Sequence, residues 1–179
     1  MSTKYKVYNT TLPHFITFTV VEWIDVFTRA EYKDVLLESL YYCQQHRGLK
    51  LFAFCIMSNH VHLIAAAENG LPNVVRDCKK YTSNQLITAI EQNPQESRKN
   101  WMLWIFKQKG KQSNQDYQFW QQGYYPIELH DKYMMEQKLE YVHHNPVKAG
   151  ICYKPEDYIY SSAANYAGEK GILEVELMI

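Results

Sequence analysis

The chain has 179 residues, 46% of them hydrophobic and 15% aromatic, enough for one globular core and too few for two full domains. Nineteen basic residues balance nineteen acidic ones, which excludes a broadly sticky polycation; a nucleic-acid or acidic-membrane partner would have to be met by a local patch. Four scattered cysteines without a C-x-x-C pair, an amino terminus without a signal-like apolar core and no apolar run of spanning length predict a soluble protein of the reducing cytoplasm with no membrane partner.

In chain order, "HFITFTVVEW" (His14 to Trp23) is rich in β-branched and aromatic residues and reads as a first strand. Tyr32, Val35, Leu36, Leu40 and Cys43 recur at helical spacing, with Thr28 as N-cap, Glu31 three residues later and Gly48 past the end. "LKLFAFCIM" and "HVHLIAAA" form an antiparallel hairpin around the polar turn at Ser58 and Asn59. A second helix runs from Leu71 to Ile90 with Pro72 in its first turn, covering the same sheet face as the first. The stretch from about 94 to 116 mixes polar residues, tryptophans and a basic run, and reads as a partly ordered insertion.

Strand character resumes in "YQFWQQGYYPIEL", and "HDKYMMEQKLEYVHHN" is a third helix, capped by Asp131 and stopped by Pro146. The tail is loop with a last strand at "ILEVELM". The order β-α-β-β-α-β gives an α+β fold: a ferredoxin-like or RRM-like sandwich, with a central antiparallel sheet of about four to five strands and helices packed on it. The chain is one catalytic-size domain, 1–179.

His60 and His62 bracket Val61 on a predicted central strand. Side chains at i and i+2 share a strand face roughly 7 Å apart, so both imidazoles can reach one ion while Val61 faces the core. Two such histidines are also met as an ordinary hydrogen-bonded pair, so a metal site needs further ligands. The best group lies in "EYVHHNPVKAG", where Tyr141 and Asn145, four apart, share a helix face beside His143 and His144.

"NHVHLI", "WQQGYYPIELHD", "YVHHNPVKAG" and "PEDYIYSSAANY", in that order, resemble the single-tyrosine HUH transposases, and within them the REP-associated tyrosine transposases, over about His14 to Tyr166. The resemblance implies that His60 and His62 are the metal ligands, Val61 the intervening hydrophobic residue and Tyr141 the nucleophile. Asn145 falls where the wider family places an amide-type ligand, although many relatives have glutamine there. It further implies single-stranded or hairpin DNA as partner, Mg²⁺ or Mn²⁺ as cofactor, and strand cleavage and transfer through a 5′-phosphotyrosine. A homodimer, with Tyr141 acting within its own chain or across to its partner, is compatible with this pattern.

A DNA footprint is expected from Arg76, Lys79 and Lys80 beside Tyr81, and from Lys107, Lys109 and Lys111 beside Trp101 and Trp104. For the second group a solvated charge run next to core tryptophans is an equal reading. Two other functions stay open from sequence: a DNA-binding or regulatory module that has lost turnover, and a hydrolase in which His60 and His62 activate water.

Overall fold

The structure, a computed structural model, describes residues 12–68, 70–123 and 125–178; the amino-terminal reading and Tyr124 lie outside them. Strand β1 (His14–Thr19) precedes helix α1 (Ala30–His46), and the hairpin β2 (Leu49–Ile56) and β3 (His60–Ala67) follows. Then come α2 (Leu71–Gln92), α3 (Lys99–Gln112), β4 (Ile127–Glu128), α4 (Lys132–Lys148) and the short α5 (Ala163–Tyr166). Among the described residues the sheet has four strands, antiparallel throughout, in the order β2-β3-β1-β4. This is the expected ferredoxin-like arrangement, and β3 is interior to it.

Helices α1 and α2 pack on each other and on β2 and β3, burying Leu36, Leu40, Val74, Cys78 and Leu86. Alternation along β1 and β3 sends Phe18 and Val61 toward that layer, and Phe15, Thr17, His60 and His62 toward the other face, where α4 lies. The site is therefore built on the face that carries one helix instead of two.

Several boundaries differ from the sequence reading. The first strand ends at Thr19, because the chain turns through a 3₁₀ segment at Val21–Trp23. Helix α1 begins after Arg29 without a side-chain cap; Thr28 Oγ1 instead accepts from Arg98 Nη2 at 3.1 Å. Gly48, with φ +65°, takes the left-handed conformation expected just past that helix.

The stretch expected to be partly ordered contains α3, fourteen residues long. Full burial of Met102 and Phe106, worth about 1.5–3 kcal/mol each, outweighs its polar composition. At Gly110 a Cβ would stand 2.7 Å from Gln115 O, so glycine lets the following loop fold back onto the helix.

Among the described residues of 117–129 the chain is mostly irregular, pairing through Trp120 with Val20 and through β4. Asp131 does cap α4, accepting from Met134 N at 2.8 Å, but Pro146 lies inside the helix. In the final turn a proline removes one backbone bond, and both Val142 and Pro146 are buried, so packing carries the helix on to Lys148. No strand forms at 172–178, where Glu176 N donates to Leu51 O at 2.9 Å.

The outer edge of β2 is covered by the segment after α4. Ile56 N donates to Tyr160 O, Ser162 N to Phe54 O, and Ser161 bridges Cys55.

Candidate metal and nucleophile site

The Ser58–Asn59 turn is held by backbone bonds from Val20 N to Asn59 O (2.9 Å) and from Phe27 N to Ser58 O (2.8 Å). This fixes Asn59, whose side chain orients the first histidine: His60 Nδ1 lies 2.7 Å from Asn59 Oδ1, while Asn59 Nδ2 donates to Asp25 Oδ1 at 2.9 Å. With Nδ1–H donating, His60 presents the lone pair of Nε2. Burial lowers its pKa, opposed by Asp25.

His62 is only 4% exposed. Its Nδ1 lies 2.9 Å from Thr17 Oγ1, and its buried Nε2 has no hydrogen-bond partner among the described residues. Burial above all, then His60 and Lys138, pushes its pKa down to about 3, so the ring is neutral near pH 7. The two imidazoles stand 4.7 Å apart between centroids.

Helix α4 brings Tyr141 against this pair, its ring centroid 5.1 Å from His62 and 5.8 Å from Phe15. Tyr141 remains 41% exposed. Asn145 lies one turn later, half-buried, and its side chain has no hydrogen-bond partner among the described residues. The fold thus joins the β3 histidines to the α4 tyrosine, as the sequence pattern required.

Two functional candidates were not singled out by sequence. Lys138 Nζ lies 4.8 Å from the Phe15 ring centroid and 5.6 Å from that of Tyr141, and Lys148 Nζ lies 5.9 Å from the Tyr141 ring. Lys138, Tyr141, Asn145 and Lys148 follow at steps of three, four and three, so the signal was helical spacing around the tyrosine. His143, two residues from Tyr141, is structural: its Nε2 lies 2.9 Å from Ser162 Oγ, which accepts Phe54 N–H at 3.0 Å. His144 Nδ1 lies 3.2 Å from Glu140 O of its own helix.

The expected DNA-binding cations are dispersed. Lys79 is half-buried and donates to Gln121 O and Gly123 O, both at 3.0 Å; burial brings its pKa down to about 8. It clips the loop before β4 in place. Arg76 is engaged by Asp77 and Asn73, and Lys109 pairs with Glu22. Lys80, Lys107 and Lys111 are exposed. None of the six touches His60, His62 or Tyr141.

Among the described residues, no helix is long and apolar enough to cross a membrane. No curated protein matches the sequence. A solved structure described as a REP-associated tyrosine transposase bound to a REP hairpin is similar over 100% of this chain and 94% of that one, with 15% identity and a TM-score of 0.67. A putative transposase from Deinococcus radiodurans R1 is similar over 79% of this chain and 95% of that one, with 18% identity and a TM-score of 0.45. The family model for IS200-like transposases matches residues 8–145, well over half of the sequence and inclusive of both histidines, Tyr141 and Asn145. This chain therefore belongs to the IS200-like transposase family.

Proposed function

We propose that the chain cuts one strand of DNA and keeps the cut end as a 5′-phosphotyrosine on Tyr141, then passes it to another 3′-hydroxyl. The observation that carries this reading is the 5.1 Å contact between the Tyr141 ring and His62, whose Nε2 is otherwise without a partner. Tyr141 Oη attacks the phosphorus, the P–O3′ bond breaks, and the phenol gives up its proton while the leaving oxygen becomes a 3′-hydroxyl. The ester energy is kept in the phosphotyrosine, so attack by a second 3′-hydroxyl rejoins strands without ATP.

The histidine pair fits a divalent cation. Both rings are neutral near pH 7, a buried Nε2 is orphaned, and the Nδ1 atoms are occupied by Asn59 and Thr17. Nε2 of His60 and His62 would hold Mg²⁺ or Mn²⁺, with Asn145 as amide ligand, supplying Lewis-acid polarisation of the scissile phosphate. Lys138 and Lys148, on either side of Tyr141, would set positive charge beside the attacked phosphate and the developing phenolate.

The full-length likeness to a hairpin-bound REP-associated transposase supports a place in that branch, with hairpin DNA from repeated palindromes as the substrate. The decisive experiment incubates the protein with Mn²⁺ and a single-stranded hairpin taken from palindromic repeats flanking its gene. A covalent adduct that survives denaturation, and is absent in Tyr141→Phe and His60→Ala, is the expected result. Hairpin binding without adduct under any metal would leave a DNA-binding module. Cleavage that persists in Tyr141→Phe would indicate water activation by the histidines instead.

A further inference from the structure

Against His60 stands Trp23, the residue that ends the 3₁₀ segment after β1. An indole gains most from burial, yet this one is 59% exposed. Its perpendicular contact with His60, at 6.1 Å between centroids, covers little of the ring.

The backbone that presents it is strained. Glu22 and Trp23 both have φ +54°, a left-handed conformation that costs a non-glycine residue on the order of 1 kcal/mol or more. The conformation is held from several directions: Val21 N donates to Phe119 O at 2.9 Å, Trp23 O accepts Asn59 Nδ2 at 3.3 Å, and Glu22 pairs with Lys109 of α3. That second bond comes from the same amide that orients His60. One side chain, Asn59, thus contacts both the backbone that carries the indole and the imidazole, and the ion pair to Lys109 offsets the repulsion Glu22 would exert on a nearby phosphate.

We infer that Trp23 is a nucleobase-stacking platform, taking one unpaired base of the strand beside the phosphate that Tyr141 attacks; this rests on the proposed function for the presence of single-stranded DNA at the site. A π-face accepts any base, so the platform positions the strand with little sequence preference. Trp101 and Trp104 are also exposed, at 53% and 62%, but neither touches the histidine pair.

The test uses full-length Tyr141→Phe protein and a short single strand in which every base is 5-iodouracil, a group that cross-links under long-wave light to the aromatic ring it stacks on. The cross-linked peptide should contain Trp23. Trp23→Ala should weaken binding of that strand about 5- to 150-fold, and Trp23→Tyr should retain most of it. Unchanged affinity in Trp23→Ala, or cross-links confined to Trp101 and Trp104, would overturn the inference; the cross-link in the Trp23-containing protein is read independently of how well the alanine variant folds. The two readings separate cleanly. Normal tyrosine adduct with Trp23 silent counts against the platform alone, and a Trp23 cross-link without any adduct in the unmutated protein counts against the strand-transfer reading alone.

Discussion

Thr17 Oγ1 lies 2.9 Å from His62 Nδ1, between residues that are direct cross-strand partners on β1 and β3. The hydroxyl therefore fixes both the ring orientation and the nitrogen left for a ligand. Thr17→Val, which keeps the shape and removes the hydroxyl, should lower Mn²⁺ affinity about 10- to 100-fold without unfolding the protein. Titration calorimetry beside circular dichroism checks this; unchanged affinity would mean that the hydroxyl does not aim the ligand.

Lys138 and Lys148 approach the Tyr141 ring from opposite turns of α4. Each alanine substitution should slow adduct formation about tenfold, some 1.4 kcal/mol of barrier, and Lys138→Arg should recover part of the loss. Single-turnover gels with saturating hairpin separate this from weakened binding. Equal rates at saturation would reduce both lysines to docking contacts.

His143 is adjacent in sequence to the chemistry and absent from it. Burial lowers its pKa to about 4, and its bond to Ser162 ties α4 to the segment lying along β2. His143→Ala should cost about 2 kcal/mol in urea denaturation, through a lost hydrogen bond and a small cavity. Adduct yield per folded molecule should hold, whereas His60→Ala should abolish the adduct with little loss of stability.

Glu96 is 4% exposed and caught between Arg29 and Arg98. Burial alone would raise its pKa, but the hydrogen bonds and charge of Arg98, with Arg29, bring it from 4.5 down to about 2. A folded-state value below the unfolded one makes the stabilisation complete above pH 4.5, and it is lost as the pH falls toward 2. The gap corresponds to about 3 kcal/mol. Urea midpoints of Glu96→Gln should sit lower than those of the parent at neutral pH, with the difference shrinking across that acid window.

The Tyr141 ring meets His62 of its own chain. Adduct formed per chain should accordingly be independent of protein concentration. A second-order dependence would place the tyrosine of one copy at the histidines of another.

The sequence was most readable where one local pattern had a single physical solution. Ser58 and Asn59 between two apolar runs could only be a hairpin, and alternation then put His60 and His62 on one face. It misled where tertiary contacts decide. "ILEVELM" alternates like a strand but forms no ladder: Glu176 N bonds Leu51 O, and residues 160–162 take the stretch of β2 beside Ile56 and Phe54. Helix α3 was masked by its exposed tryptophans, since Met102, Phe106 and Gly110 are its buried residues. Lys79 looked like a surface cation until the loop at Gln121 and Gly123 closed over it. Lys138 and Lys148 were visible as helix-face neighbours of Tyr141, but only a residue already chosen as nucleophile gives that spacing meaning.

The covered β2 edge has a bearing on how the molecule behaves in a tube. Equal numbers of basic and acidic residues leave almost no charge repulsion between copies near pH 7, the condition under which bare strand edges template aggregation. At one margin of the sheet the backbone groups of Phe54 and Ile56 are taken; at the other, Gln121 N meets Thr19 O and β4 covers Phe15. The segment after α4 thus shields the β2 margin, and a truncation ending before Tyr158 would expose the backbone groups of Phe54 and Ile56 to edge-to-edge pairing.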